Sequence, residues 1–368
     1  MQGGGHGPLT NLYGFAADNA LAFDVVTADG RFLTANAVEN KDLYYALKGG
    51  GPSTYAVILS VTMKTFPDNL PSAGLYLNIN GTMTKDFGLI LKALDKIHKM
   101  ANYMVDNGLY AIYELYPPPI LGALHVQPIM GLNLTAVQLD AIMKPLFDFL
   151  KAEGIPYDSG TKEYRTWYEL YMDLFEPESA GQNGLTGGWT FSHQDMSGDL
   201  AELGSAINLS LSPRSDLVGI VISHLFNPGH KIATSQSATH PGWRNATMRL
   251  MSILPSPLDA TWSQKQDLDN VMANTISKAF MKAGPTGLAY VNEVSSRCLP
   301  SVARRPAHCD QNYWNLPNWQ EAFWGSVYPT LKSTKAAWDP LGVFYAVSTP
   351  GTEAWKVIDY GKRLCRKV

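Results

Sequence analysis

The chain has 368 residues, 45% hydrophobic and 17% charged, with a formal net charge of -3 at pH 7. That balance lacks the basic excess of a nucleic-acid-binding surface, and no run approaches the roughly 18 apolar residues of a membrane-spanning helix. Neither nucleic acid nor a membrane is an expected partner, and at this length two domains or subdomains are expected.

The first stretch is glycine-rich, Gly3-Gly4-Gly5-His6-Gly7-Pro8, running on to Tyr13-Gly14 and Ala17-Asp18. Glycines in series let backbone approach a ligand closely and supply positive φ at little cost. Ala20 to Thr27 reads as a strand, Ala28-Asp29-Gly30 as a tight turn and Arg31 to Ala35 as the antiparallel partner. Asn40 is placed to cap a helix carrying Leu43, Ala46 and Leu47, stopped by Gly49-Gly50-Gly51. Thr54 to Phe66 alternates, putting Tyr55, Val57, Leu59, Val61 and Met63 on one side of a half-buried strand. Pro67 to Pro71 marks a boundary.

Beyond it the pattern predicts an antiparallel sheet with covering helices, an α+β arrangement. Leu75–Ile79, Leu109–Leu115, Leu121–Met130 and Leu217–Leu225 read as strands. Phe87 to Met104 and Val137 to Leu150, the second capped by Thr135, read as amphipathic helices ending at Gly108 and Gly154. Leu268 to Ala283 reads as a helix, Gly229 to Gly242 as a loop, and Ser159 to Thr190 is rich in Tyr and Trp. In the tail, Trp319, Phe323 and Val327 fall at helical spacing and Pro329 opens a helix to Trp338. A turn at Asp339–Gly342, a short strand at Val343–Val347 and a last helix capped by Thr352 complete the reading.

Several chemistries lack their residues. The glycine loop has the wrong spacing and no preceding strand for a dinucleotide fingerprint, and there is no Gly-x-Ser-x-Gly elbow, His-Glu-x-x-His or phosphate loop. The eight histidines are scattered, and no metal site is expected. His6 stands out by its glycine loop, while His125 alternates within a strand and faces either core or cleft. Cys298 and Cys309 fit a loop-closing disulfide better than a metal site, leaving Cys365 over. Sequons at Asn80, Asn133, Asn208 and Asn245 favour a secreted glycoprotein, although no signal peptide opens the chain. Tyr290 and Asn292 put a phenol and an amide on one face of an extended segment, suited to a general base and its orienting group. Periodicity alone favours a core tyrosine in a half-buried strand over that role.

Three blocks together resemble the berberine-bridge-enzyme-like FAD-linked oxidases, fungal members of the vanillyl-alcohol-oxidase/PCMH-type flavoproteins. The first is Gly3-Gly4-Gly5-His6-Gly7-Pro8-Leu9 with Tyr13-Gly14 and Ala17-Asp18. The second is Val25-Val26-Thr27-Ala28-Asp29-Gly30-Arg31 with Leu43-Tyr44-Tyr45-Ala46-Leu47-Lys48-Gly49-Gly50-Gly51. The third is the tail, with Tyr290-Val291-Asn292-Glu293, Asn318-Trp319-Gln320-Glu321-Ala322-Phe323-Trp324-Gly325, Tyr328, Leu331, Lys335, Asp339-Pro340 and Phe344.

The resemblance implies an FAD-binding domain built from residues 1–66 and 285–368 and an antiparallel-sheet substrate domain over 67–284. It implies FAD as cofactor, hydride transfer from a sugar, alcohol or secondary metabolite to flavin N5, and dioxygen as the usual reoxidant. It places Gly3, Gly4, Gly5, His6, Gly7, Gly14 and Asp18 along the flavin and pyrophosphate, Val25 and Val26 at the adenine end, Asn292 near the flavin, and Tyr290 as base. The family's upstream loop with a flavin-linking His has no counterpart here, so the resemblance implies a truncated PCMH-type FAD-binding domain. His6 is then a flavin-lining residue rather than a covalent anchor. Pro52 and Ala56 depart from a family run that usually carries more glycine. An inactive remnant acting as a binding module is the competing expectation, with Leu21, Phe23 and Val25 exposed. A family member turned to redox-neutral cyclisation is a third. Substrate choice is assigned to central side chains such as Tyr113, His125, Gln127 and Trp189.

Overall fold

A computed structural model describes residues 1–52, 54–118, 120–175, 184–229, 237–292, 316, 318–358 and 363–367. Glu293, Cys298 and Cys309 lie outside the described residues, and the expected disulfide with them; Cys365 is a free thiol.

The chain builds a small sheet first. β1 (Ala20–Thr27) is central, flanked antiparallel by β2 (Phe32–Asn36) and β3 (Ala56–Met63). The Asp-Gly turn closes as its sequence predicts, with Gly30 at φ 83 and its N–H bonded to Thr27 O. Helix α2 (Lys41–Leu47) buries Leu43, Ala46 and Leu47 beneath this sheet, beside Phe23 and Val25. Asn40 holds the N-cap position, but at φ 50 its side chain donates to Thr34 O and caps nothing. The alternating face of β3 is not half-buried: Val57 and Leu59 are 49% and 59% exposed. A register shift opposite Asp24 and Val25 breaks the simple alternation. Leu21 is exposed as expected of a remnant, whereas Phe23 and Val25 are buried, because they point to α2 and not outward.

The second sheet has seven strands: β4 (Ser72–Asn80), β5 (Leu109–Tyr116), β6 (Ala123–Leu132), β7 (Asp158–Tyr164), β8 (Gly184–Ser192), β9 (Ile220–Leu225) and β10 (Ala246–Pro255). Their order is β7-β4-β6-β5-β9-β10-β8, and every pairing is antiparallel. One face is packed by α3 (Phe87–Asp106), α4 (Ala136–Ala152), α6 (Ala201–Leu211) and α8 (Ser277–Ala283). Asp86 caps α3 by accepting from Gly88 N, and Thr135 with Gln138 forms a capping box on α4. The stripes Ile90, Leu94, Ile97, Ala101, Met104 and Leu139, Met143, Leu146, Leu150 are buried as their spacing requires. The helix expected from Leu268 begins earlier, as α7 (Trp262–Val271) behind a Thr261–Gln264 capping box, and reaches α8 through a π turn at Met272–Ile276. A short α5 (Trp167–Leu174) lies against β4, β6 and β7, and its Leu170 joins the cluster of Tyr164, Tyr110 and Tyr290.

The tail returns to the small sheet. After α9 (Trp319–Trp324), α10 (Tyr328–Trp338) packs on α2, and Lys335 Nζ donates to Thr54 O and to Asp339 Oδ2. The strand expected at Val343–Val347 is loop. Val343 N and Phe344 N donate to the Asp339 carboxylate and Phe344 O accepts from Lys335, so no ladder partner is needed. The last expected helix is a single turn, Thr352–Ala354, after Gly351 at φ 88; a hairpin of β11 (Trp355–Ile358) and β12 (Arg363–Arg366) follows.

Candidate active site

The glycine loop folds back on itself. Gly4 (φ 116) donates to Met1 O, while Gly4 O and Gly5 O accept from Ala17 N and Ala16 N. Side chains would not fit: a Cβ on Gly3 would lie 2.1 Å from Asn292 Oδ1, and one on Gly49 2.5 Å from the Thr239 methyl. The loop thereby lets the Tyr290–Asn292 segment lie directly on it. At that contact the Tyr290 phenol oxygen receives two N–H donors, Gly5 N at 3.2 Å and Asn292 Nδ2 at 2.7 Å. Tyr290 is only 5% exposed. The Arg249 guanidinium sits over its ring, 5.9 Å from the centroid. Negative charge developing on that oxygen is therefore met by two dipoles and a cation in a site shielded from water.

Arg249 is fully buried at the middle of β10, and Gly188 on β8 makes its space: a Cβ there would come 2.8 Å from Nη2. His6 lies in an aromatic box, stacked on Phe226 at 5.0 Å and flanked by His224, Tyr290 and Trp243. Asp18 accepts from Phe15 N and makes a bidentate pair with Arg244, the two side chains 0% and 5% exposed. Its carboxylate welds the glycine loop to the turn at Pro241–Asn245. Behind that turn lies a polar cleft of about 530 Å³, lined by Asp106, His193, Asn227, Arg244, Asn245 and Thr286. Lys48 is buried too, and burial pulls its ammonium below the ordinary lysine range, with Asp18 acting the other way.

Of the residues singled out in the sequence, the structure gathers Gly3, Gly4, Gly5, His6 and Tyr290 around one nook with Thr239 and Trp243, and Asn292 against Gly3. Gly7 has open space beside it and donates to Thr10 Oγ1; Gly14 (φ 77) ends the short helix α1 (Thr10–Tyr13). Val25 and Val26 lie in the central strand, in register with both neighbours, so Val26 presents side chain and not free backbone. Tyr113 faces the helices, its oxygen 2.8 Å from His98 Nε2, and Trp189 donates to Gly284 O at the end of α8. His125 faces the opposite side, and Gln127 is exposed. Arg249, Arg244, His224 and Phe226 escaped the sequence reading; the one available signal was an arginine inside an otherwise apolar run.

The donor set around Tyr290, the glycine cradle and an adjacent half-buried polar sheet face fit one wall of a redox-cofactor site. Among the described residues no cluster of His, Cys, Asp or Glu could hold a metal, and no helix is long and apolar enough to cross a membrane.

Residues 289–347 match the family described as berberine and berberine like. The chain is 28% identical over 369 residues to FAD-linked oxidoreductase ZEB1 of Gibberella zeae, covering 99% of this chain and 60% of that protein. It is 29% identical to FAD-linked oxidoreductase patO of Aspergillus clavatus, covering 99% and 59%. The solved VAO-type flavoprotein MtVAO615 of Myceliophthora thermophila superposes with a TM-score of 0.83 at 28% identity, covering all of this chain and 62% of that one. A carbohydrate oxidase of Microdochium nivale, at 19% identity and a TM-score of 0.68, shares the fold. The chain thus spans about 60% of the length of the curated relatives it matches. It is a relative of the berberine-bridge-enzyme-like FAD-linked oxidoreductases of the vanillyl-alcohol-oxidase type, a family whose cofactor is FAD.

Proposed function

We propose that this chain carries the substrate-facing part of an FAD-dependent oxidase, in which Tyr290, as its phenolate, would take the proton from a substrate hydroxyl while the hydride on the adjacent carbon goes to the bound flavin. The carrying observation is the Tyr290 oxygen under two N–H donors with Arg249 over the ring. When bound, FAD supplies the two-electron acceptor, and dioxygen restores it. Asn292 and Gly5 hold the phenol in place, while the box around His6 and Trp243 excludes water. Residues 1–66 and 285–368 form the cofactor-binding unit in this reading, with Gly7 and Gly14 facing the cofactor, and residues 67–284 form the substrate unit. The substrate is a small alcohol, a sugar or a secondary metabolite. Secretion accords with sequon asparagines that stand exposed at Asn133, Asn208 and Asn245, although Ser210 and Thr247 of the last two are buried.

The test is Tyr290→Phe in chain reconstituted with FAD. General-base loss predicts a drop in kcat of about 10²- to 10⁴-fold with the flavin absorbance kept. Unchanged turnover would remove Tyr290 from the mechanism, and turnover of a product at unchanged oxidation level would favour a redox-neutral cyclisation.

A second reading, a ligand-binding remnant without redox turnover, is favoured by a specific feature. The closest approaches at Gly3 and Gly49 are filled by the chain's own Asn292 and Thr239. A chain that binds ligand yet takes up no FAD on titration would establish it.

A further inference from the structure

The open face of the seven-stranded sheet has two unlike halves. Residues directly opposite in antiparallel strands share one face, so the register writes out rows across it. One row is Ile112–His224–Arg249–Thr190, whose Arg249 lies over the Tyr290 ring. The next is Asn78–His125–Glu114–Ile222–Met251. Its first three members are polar and lie on β4, β6 and β5; its last two are apolar and lie on β9 and β10. The row beyond repeats the division, with Tyr116 on β5 and the pair Ile220–Ile253 on β9 and β10. In the polar half, Tyr116 donates to Glu114 Oε2 at 2.7 Å and its ring stands 5.8 Å from that of His125. That leaves Glu114 Oε1 able to accept from a ligand. In the apolar half, Ile220, Ile222 and Ile253 are half-buried and belong to neither buried core cluster, while Met251 between them is buried.

We propose that this face selects an amphipathic alcohol: a hydrocarbon body resting on Ile220 and Ile222, with a hydroxyl donated to Glu114 beyond the carbon that is oxidised. Two residues of strand from Ile112 to Glu114 set that separation at about 7 Å. A ligand polar throughout would place hydroxyls against the isoleucines and leave them unpaired. A wholly apolar ligand would strip water from Glu114 and His125 and return nothing. The division therefore excludes both a long oligosaccharide and a plain hydrocarbon alcohol as the best-fitting substrate. This assignment rests on the reading of the sheet face as the substrate side of the oxidase site.

Three probes test it by direct binding to the FAD-loaded chain: tyrosol, phenethyl alcohol, which lacks only the phenolic hydroxyl, and cellobiose. Tyrosol is expected to bind about tenfold more tightly than phenethyl alcohol, the worth of one hydrogen bond to a charged group, with cellobiose weakest. Glu114→Ala should erase the difference between the first two, and Ile222→Asn should weaken both. Tyr116→Phe, a smaller change, should shift the tyrosol preference alone if Glu114→Ala fails to fold. Equal affinities, tighter binding of cellobiose, or no binding of either aromatic alcohol at millimolar concentration would overturn the proposal. Preferential tyrosol binding without oxidation would keep this substrate class and sink the oxidase reading. Oxidation of all three with equal kcat/KM would do the reverse.

Discussion

The two sheets are covered on one side in the same way and differ in what they leave open. The seven-stranded sheet packs α3, α4, α6 and α8 on one face, and its other face mixes the buried Arg249 and half-buried His224, Glu114 and His125 with apolar neighbours. The three-stranded sheet packs α2 and presents Leu21, Phe32, Val57 and Leu59 at 48%, 67%, 49% and 59% exposure. A half-buried carboxylate such as Glu114 tolerates water and can accept from a ligand, whereas exposed apolar groups forgo burial worth about 25 cal/mol per Å². The first composition suits the proposed ligand site, and the second suits an association surface. The two regions meet where Asp18, beyond the glycine loop, pairs with Arg244, just before β10.

That joint gives the largest expected effect on stability. Arg244→Met leaves the Asp18 carboxylate buried without its cation, and the expected loss is about 3–5 kcal/mol, read by urea unfolding. The aromatic box around His6 should loosen at the same time, visible as altered tryptophan emission from Trp243. A loss under about 1 kcal/mol would show that the two regions are joined by packing alone.

The acid limb probes the large sheet by itself. Burial pulls His98 down from 6.5 to about 4, so the native state holds its imidazole neutral against Tyr113. Because the folded value is the lower one, this stability is present above pH 6.5 and is lost as pH falls toward 4. The loss reaches up to about 3 kcal/mol. His98→Gln, which keeps a hydrogen-bonding group and does not titrate, should flatten that slope between pH 7 and pH 4. An unchanged slope would move the acid sensitivity elsewhere.

The smallest expected change in stability concerns the open apolar face. Leu59→Lys should alter unfolding free energy by no more than about 0.5 kcal/mol while reducing self-association in sedimentation or light scattering. A large loss of stability would mean that Leu59 is packed in solution and the contrast between the sheets is weaker than drawn.

Periodicity made the covered side of each sheet legible. The stripes of α3 and α4, the Asp-Gly hairpin and strands β1 to β6 were readable because each depends on residues within a turn or two of one another. The tail was misread at Val343–Val347, where the backbone groups go to a buried Lys335–Asp339 pair that no local pattern announces. Strands β8 and β10 were missed altogether: Gly187-Gly188 weakens β8 as a strand signal, and Arg249 interrupts the apolar run of β10. At the site, the glycine loop and the Tyr290–Asn292 pair were visible as separate candidates, and nothing in their spacing showed that one sits on the other.

By itself the sequence determined the class of fold, the helices and hairpins whose hydrogen bonds are local, and a resemblance carried by motifs at its two ends. Only the tertiary structure decided that Gly5 donates to a phenol 285 residues away. It likewise decided that Asp18 serves Arg244, and that Tyr113 and His125 look to opposite sides of one sheet. The physical reason is the same in each case. A strand's register sets which face every second residue takes, and register is a property of the neighbouring strands, not of the strand alone.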